Sequence, residues 1–244
     1  MIKSENIDKI YTNGQVITRA LTNVSLELKK GEMVAVNGPS GCGKTTLLNI
    51  LGLLDRDFEG RVFLDGKDTK NLSDSELRKI RSNKIGFIFQ NFHLIDNLDV
   101  YSNIELPLKY IRLSRGERKS LTNHVIEKMG LTDIMRLKPD QLSGGMMQKV
   151  AIARAAVNSP SLILADEPTG NLDSKQGHDI INFLRELNNE GTTILYVTHS
   201  KEQSDLCDRI IRIFDGRILS VNDSYYMEES SIFAGNDRFT KFSF

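Results

Sequence analysis

Apolar positions along this chain follow two periods, and the switches between them mark out its elements. Four runs are apolar at consecutive positions: Met33-Val34-Ala35-Val36, Ile85-Gly86-Phe87-Ile88-Phe89, Leu162-Ile163-Leu164-Ala165 and Ile194-Leu195-Tyr196-Val197. Runs of that length between polar turns read as strands buried on both faces. Between them the spacing is helical. Thr46 to Leu51 follows the first run, and Ser73-Asp74-Ser75-Glu76 has the capping-box spacing that opens a helix to about Ser82. Ile104, Leu108 and Ile111 share a helical face. A polar helix from about Ser114 carries Leu121, Val125, Ile126 and Met129, with Gly130 able to cap it. Further helices are predicted from Gly144 to about Asn158, stopped by Pro160, and from about Ser174 to Glu190, capped by Gly191. The N-terminal stretch Ile2 to Ser25 reads as short β-like pieces with a turn at Asn13-Gly14. Gly60 to Gly66 reads as a strand ending in an Asp-Gly turn, and Ile210 to Val221 as a hairpin around Asp215-Gly216.

Strands alternating with helices predict an α/β fold with a mostly parallel core sheet. The N-terminal β piece and the helical stretch after Asp99 are additions to it. The expected organisation is one domain over 1–221, with about 1–90 and 159–221 forming the core and β part and about 91–158 a helical subdomain. The segment 222–244, with Tyr225, Tyr226, Phe233, Phe239, Phe242 and Phe244, fits no motif. Docking on its own domain, contact with a partner and disorder are all open for it.

The chemistry begins directly after the first buried run. Gly38-Pro39-Ser40-Gly41-Cys42-Gly43-Lys44-Thr45 has the spacing of a phosphate-binding P-loop, and a helix starting at Thr46 completes its strand–loop–helix setting. Glycines let the backbone turn tightly, so several N–H groups face one anion at a helix N-terminus. Lys44 would reach the β- and γ-phosphates of a nucleotide, and Thr45 would offer its hydroxyl to Mg²⁺. The ordinary alternative, a glycine-rich turn that binds nothing, does not explain the strand and helix that flank it. Cys42 is a small side chain in this loop or, alternatively, a reactive thiol.

Three other strand ends carry polar residues. Asp166 closes its run and Glu167 follows it, a Walker-B-like pair in which Asp166 would hold the metal ion through water and Glu167 would polarise the attacking water. Gln90 follows Phe89, and His199 follows Thr198. In a parallel sheet, ligands bind at the carboxyl ends of strands, so Lys44, Gln90, Asp166, Glu167 and His199 are expected at one site.

Composition narrows the class of protein. The 244 residues are 39% hydrophobic and 26% charged, with formal net charge +0, so no basic excess argues for nucleic acid. No apolar run approaches the ~18–20 residues of a membrane span, and the first residues lack a signal-peptide core. Two cysteines, Cys42 and Cys207, without framework spacing favour a reducing, cytosolic compartment.

Taken together, the motifs resemble those of ABC-type ATPases. Leu142-Ser143-Gly144-Gly145-Met146 is similar to the family's signature motif and precedes a helix and the Walker B strand, as it does there. Pro168-Thr169-Gly170-Asn171-Leu172-Asp173 resembles the Pro turn and D-loop, Gln90 the Q-loop glutamine and His199 the switch histidine. The resemblance runs from about residue 2 to 221, in the family's order. It implies that Ser143, Gly144 and Gly145 close over ATP bound to a second copy, so that a homodimer sandwiches two ATP. It implies Mg²⁺ held by Thr45, Gln90 and Asp166, with Glu167, His199, Gln90 and Lys44 serving hydrolysis. Gly38 to Thr46 would hold the phosphates. Tyr11 lies where the family places an aromatic that stacks on adenine; an ordinary core aromatic is the other reading. The sequence departs from the family at Met146-Met147-Gln148-Lys149, where a glutamine-rich run and an arginine are usual, and at Ser102, where relatives often have Glu.

The stretches Gly86 to Ile95 and Ile104 to Leu108 are similar to the ATPase subunits of the macrolide-exporter, lipoprotein-release and division-associated group. That implies a peripheral subunit on the cytoplasmic face of the cell membrane, docked on a separate permease-type membrane subunit. Phe89 to Leu98 and the helix that follows would form the docking groove, or their apolar members simply pack in the core. Two other classes compete. A soluble ABC ATPase acting on nucleic acid would split its ATPase halves with coiled coils or zinc modules, which this chain lacks. A small-molecule kinase would have no use for the signature-type motif.

Overall fold

The computed structural model describes residues 1–219. The expected tail 222–244 and the last two residues of the predicted 210–221 hairpin lie outside the described residues.

Two sheets organise the chain. The smaller is antiparallel. Its strands β1 (Ile2–Asn13) and β2 (Val16–Leu28) form a long hairpin about Gly14, whose φ of 60° suits a residue without a Cβ. Strands β4 (Glu59–Leu64) and β5 (Lys67–Asp68) complete the order β2-β1-β4-β5. The expectation of several short pieces here is corrected to two long strands. Register shifts between Ser4 and Ile7, Ile7 and Lys9, and Lys9 and Ile10 interrupt the pairing. Asn6 and Asn23 take positive φ there, and the Asn6 amide donates to Asn23 Oδ1 at 2.7 Å. Bulges of this kind break the apolar/polar alternation without ending the strand.

The larger sheet has the order β10-β9-β3-β8-β7-β6, with strands β3 (Met33–Asn37), β6 (Ile85–Ile88), β7 (Leu162–Asp166), β8 (Thr193–Thr198), β9 (Arg209–Phe214) and β10 (Arg217–Ile218). All neighbours are parallel except the β9–β10 hairpin. Successive side chains alternate between its faces. On one face Val34, Val36, Leu162, Leu164, Leu195 and Val197 pack with Leu47, Leu48 and Leu51 of helix α1 (Lys44–Leu51). On the other, Met33, Ile163, Ala165, Ile194 and Tyr196 meet helices α5 (Gly144–Ala156) and α6 (Ser174–Asn189). Both faces are dry, which is why these strands read as unbroken apolar runs.

The helical part follows β6. Helix α2 (Asp74–Lys84), which precedes it, starts at the Ser73–Glu76 capping box, and α4 (Arg115–Lys128) at a second box, Ser114–Glu117. Helix α3 (Val100–Glu105), capped by Asp99, gives way to a 3-10 turn over Leu106–Tyr110, because Pro107 has no N–H to continue an α-helix. Ile104 and Leu108 are nevertheless buried, as their shared face predicts. Helix α7 (Lys201–Ser204) is a single turn after β8.

The registers decide where the site forms. Asn37 pairs with Thr198, Asp166 with Val197, and Ile88 with Ala165. Strands β3, β8, β7 and β6 therefore finish level with one another, and the residues that follow them leave from one edge.

Candidate active site

The loop between β3 and α1 is shaped by what surrounds it. A Cβ on Gly38 would lie 2.2 Å from the Ile213 carbonyl oxygen, and one on Gly43, at φ 103°, would lie 2.4 Å from that of Ala20. No other residue fits those two positions without moving backbone. Pro39, Ser40 and Gly41 are exposed at the loop's rim, while Gly43 and Thr46 are half-buried. The Lys44 ammonium is buried and folds back to donate to the carbonyls of Gly38 (2.9 Å) and Pro39 (2.7 Å). Among the described residues it has no carboxylate partner. A buried cation satisfied only by neutral oxygens suits an anion brought from outside. The Cys42 thiol lies 4.0 Å from Lys44 Nζ, yet burial pushes its pKa up more than the ammonium lowers it. It stays a protonated thiol filling space beneath Gly38, not a reactive thiolate.

Thr45, exposed at the start of α1, donates its hydroxyl to Asp166 Oδ2 at 2.8 Å. Burial raises the pKa of Asp166, and the neighbouring Glu167 charge adds to this; the Thr45 hydrogen bond and the Lys44 charge oppose it. A hydroxyl and one carboxylate are hard oxygen donors too few to enclose a cation. Among the described residues there is no cluster of three or more His, Cys, Asp or Glu side chains that would make a closed cage. That donor set fits Mg²⁺, which keeps several waters and takes its other oxygens from phosphates.

Glu167 sits at φ 43°, a left-handed backbone that is costly for a residue with a Cβ. Two hydrogen bonds hold it: its N–H donates to Val197 O at 2.9 Å, and its carbonyl accepts from Gly170 N–H at 3.0 Å. The turn aims its carboxylate at His199, with Oε1 3.2 Å from Nδ1. His199 is exposed on the outer side of the pair. Gln90, also exposed, belongs to the same edge. Its carbonyl accepts from the Asn171 amide at 2.9 Å, and its own amide nitrogen packs against Gly170, where a Cβ would come within 2.9 Å. Thus the structure brings Lys44, Thr45, Gln90, Asp166, Glu167 and His199 to a single edge.

Two sequence-predicted groups are carried by other elements. Ser143, Gly144 and Gly145 form the start of α5, where Ser143 Oγ accepts from Met146 N–H at 3.3 Å. They abut Asn171 and Gln176, since a Cβ on Gly145 would meet the Gln176 side chain. Tyr11 stands on β1, exposed rather than in the core. Its hydroxyl donates to Asp55 Oδ2 at 3.4 Å, and the Lys9 ammonium lies 4.8 Å from its ring centroid. One ring face is therefore occupied by Lys9. Of the two methionines after the signature, Met147 packs on the core and Met146 is exposed.

No residue from Phe89 to Leu98 is fully buried, but Leu94 packs against the core. Phe92 and His93 both adopt positive φ, and the Arg154 guanidinium donates to both their carbonyls, at 2.8 Å to Phe92. Sequence reasoning missed Arg154. A lone arginine within the apolar Val150 to Ala156 stretch of α5 was the signal that would have found it. It also missed Lys9 and Gln203, which no local pattern distinguishes.

The chain's likeness to known proteins is extensive. The family model described as ABC transporter matches residues 21–170, more than half of the chain. An uncharacterized ABC transporter ATP-binding protein of Methanocaldococcus jannaschii is 45% identical over 91% of this chain and 99% of its own length. A second, from Bacillus subtilis, is 45% identical over 90% of this chain and 95% of its own. The macrolide export ATP-binding/permease protein of Bartonella henselae is 44% identical over 90% of this chain, which spans only 33% of that longer protein. Among solved structures, a dimeric ATP-binding cassette of M. jannaschii in a post-hydrolysis state, bound to ADP and phosphate, superposes with a TM-score of 0.84. It shares 45% identity and is covered over 97% of its length by 90% of this chain.

Proposed function

The chain belongs to the ABC transporter ATP-binding family, and from that premise we propose how its own residues bind and hydrolyse ATP and what the cycle drives. The P-loop backbone from Gly38 to Thr46 cradles the phosphates, and Lys44 exchanges its two carbonyl contacts for β- and γ-phosphate oxygens. Thr45 and Asp166, with Gln90, hold Mg²⁺, which when bound neutralises charge that develops on the phosphates. Glu167 orients and deprotonates the attacking water, and His199 donates towards the γ-phosphate while limiting where the Glu167 carboxylate points. Tyr11 offers its uncovered face to the adenine.

Ser143, Gly144 and Gly145 stand at the capped start of α5. They serve the nucleotide of a second copy, so two chains enclose two ATP. Closure on ATP and reopening after hydrolysis then move a permease-type membrane subunit. No helix among the described residues is long and apolar enough to cross a membrane. The subunit works peripherally, on the cytoplasmic side, with the exposed residues of the Phe89 to Leu98 stretch as part of the surface its partner covers. A soluble ATPase acting on nucleic acid is less well supported, since the named relatives are transporter ATP-binding proteins.

The observation that carries this reading is the pair of contacts at one sheet edge: Thr45 to Asp166 at 2.8 Å and Glu167 to His199 at 3.2 Å. Glu167→Gln tests it. Turnover should fall about 10²–10⁴-fold, as expected for loss of a general base, while ATP binding persists and dimers accumulate on size-exclusion chromatography. Lys44→Ala should lose ATP affinity instead. Parental turnover by Glu167→Gln would remove Glu167 from the role of base.

A further inference from the structure

Behind Glu167 and His199 lies a polar cluster that none of the nucleotide motifs explains. Thr169, Tyr196 and Thr198 are buried at the carboxyl end of the core sheet, among apolar residues. Buried hydroxyls need acceptors, and all three point at one atom. Gln203 Oε1 lies 2.9 Å from Thr169 Oγ1, 3.0 Å from the Tyr196 hydroxyl and 3.1 Å from Thr198 Oγ1. An amide oxygen has two lone pairs, so three donors overfill it. The Tyr196 hydroxyl relieves this, because it also lies 3.3 Å from Thr169 Oγ1 and can donate there. Burial pushes the Tyr196 pKa upward, which keeps that hydroxyl protonated and a donor.

The cluster joins two segments that matter. Thr169 is two residues past Glu167, inside the turn closed by the Gly170 N–H to Glu167 O bond. Thr198 directly precedes His199, and its Oγ1 also accepts from Ser200 N–H at 3.0 Å. Gln203 is itself held by α7, where its N–H donates to Ser200 Oγ at 3.3 Å. One side chain thus ties the turn carrying Glu167 to the strand end carrying His199.

We propose that Gln203 is a positioning residue for ATP hydrolysis: its side-chain oxygen fixes the Glu167 turn against the His199 segment and so sets the spacing of those two side chains. The inference rests on the roles given above to Glu167 and His199. It adds a residue outside the nucleotide motifs, acting from behind the site and touching no phosphate.

The test compares Gln203→Met and Gln203→Glu with the parent in steady-state ATP hydrolysis and nucleotide binding. Gln203→Met keeps the volume and removes the acceptor. It should lower kcat about 10- to 100-fold, since small misplacements of catalytic groups cost that much, with KM and ATP affinity within about twofold. Gln203→Glu keeps an acceptor oxygen and should restore kcat to within about threefold of the parent. A folded Gln203→Met protein with parental kcat overturns the inference, as does a KM that rises in step with the loss. Should Gln203→Met fail to fold, Thr169→Val decides, because it removes one donor and keeps the shape. Lower kcat at unchanged KM supports the proposal, and parental kcat overturns it. Glu167→Gln, measured alongside, separates the failures. If it is inactive while Gln203→Met is fully active, only this inference falls. If it keeps the parental rate, the reading of the site beneath it falls first.

Discussion

Replacing Glu167 by alanine and by glycine isolates the cost of the backbone that presents this carboxylate. Both variants lack the side chain that faces His199, so that loss cancels between them. What differs is the left-handed conformation at φ 43°. A residue with a Cβ pays roughly 1–2 kcal/mol for it relative to glycine. Glycine in turn makes the unfolded chain more flexible, which costs it roughly 0.4–1 kcal/mol against alanine. At the midpoints of those ranges the balance leaves Glu167→Gly more stable than Glu167→Ala by about 0.8 kcal/mol. For a domain of this size that corresponds to about 1–4 °C in Tm. Thermal melts of the nucleotide-free proteins, followed by circular dichroism, read the difference directly. Hydrolysis should be equally lost in both. An alanine variant that melts at or above the glycine variant would refute the reasoning, because it would mean that the turn does not hold position 167 left-handed. The expected result identifies strain kept for function: the backbone is unfavourable, and hydrogen bonds to Val197 and from Gly170 keep it in place.

Further outcomes follow from other contacts. Gly145→Ala meets only the flexible end of Gln176, and alanine favours a helix by up to about 1 kcal/mol; its Tm should hold or rise while ATP-dependent dimerisation and turnover fall, as size-exclusion and phosphate-release assays would show. Asp166→Asn should stabilise the nucleotide-free, Mg²⁺-free protein at neutral pH, since burial raises the Asp166 pKa and the charged form is what is disfavoured. The gain over the parent should shrink as pH falls through that raised pKa towards the ordinary carboxylate value, and paired melts between pH 4 and 8, a range of about four units around carboxylate and neutral values, check the sign. Lys9→Met strips the Asp55 carboxylate, a quarter or less exposed, of a buried ammonium 3.0 Å away. The other partner, Asp57, is solvated, so the loss should be about 1–3 kcal/mol rather than that of a fully buried pair, measured from urea midpoints.

Much of this molecule was legible from local pattern. The four consecutive apolar runs became the parallel strands β3, β6, β7 and β8, because strands covered on both faces have no polar side to show. The Ser73–Glu76 capping box opened the helix it announced, since an N-cap acts within one turn, and the helices expected from about Ser114 and from Gly144 start there with Ser114 and Ser143 as caps. Gly38 to Thr45, Asp166 and Glu167 could be picked out because phosphate and metal binding demand particular residue types at strand ends. The β1–β2 hairpin reads in sequence as short pieces, because a bulge there looks like an ending.

Other features depend on the packed chain. The sequence order of Glu167 and His199 says nothing of their separation; the β7–β8 register does, by setting Asp166 beside Val197. Nothing near Glu167 announces a left-handed backbone, which arises from bonds to Val197 and Gly170. Lys9 meets Asp55 across 46 positions, Arg154 reaches Phe92 across 62, and Gln203 gathers Thr169 across 34. Local rules of period, cap and turn act over a few residues, and so the sequence alone determined the elements and the chemistry they carry. Which side chains share an acceptor is decided only when distant segments are brought into one dry interior, where a polar atom left without a partner is costly.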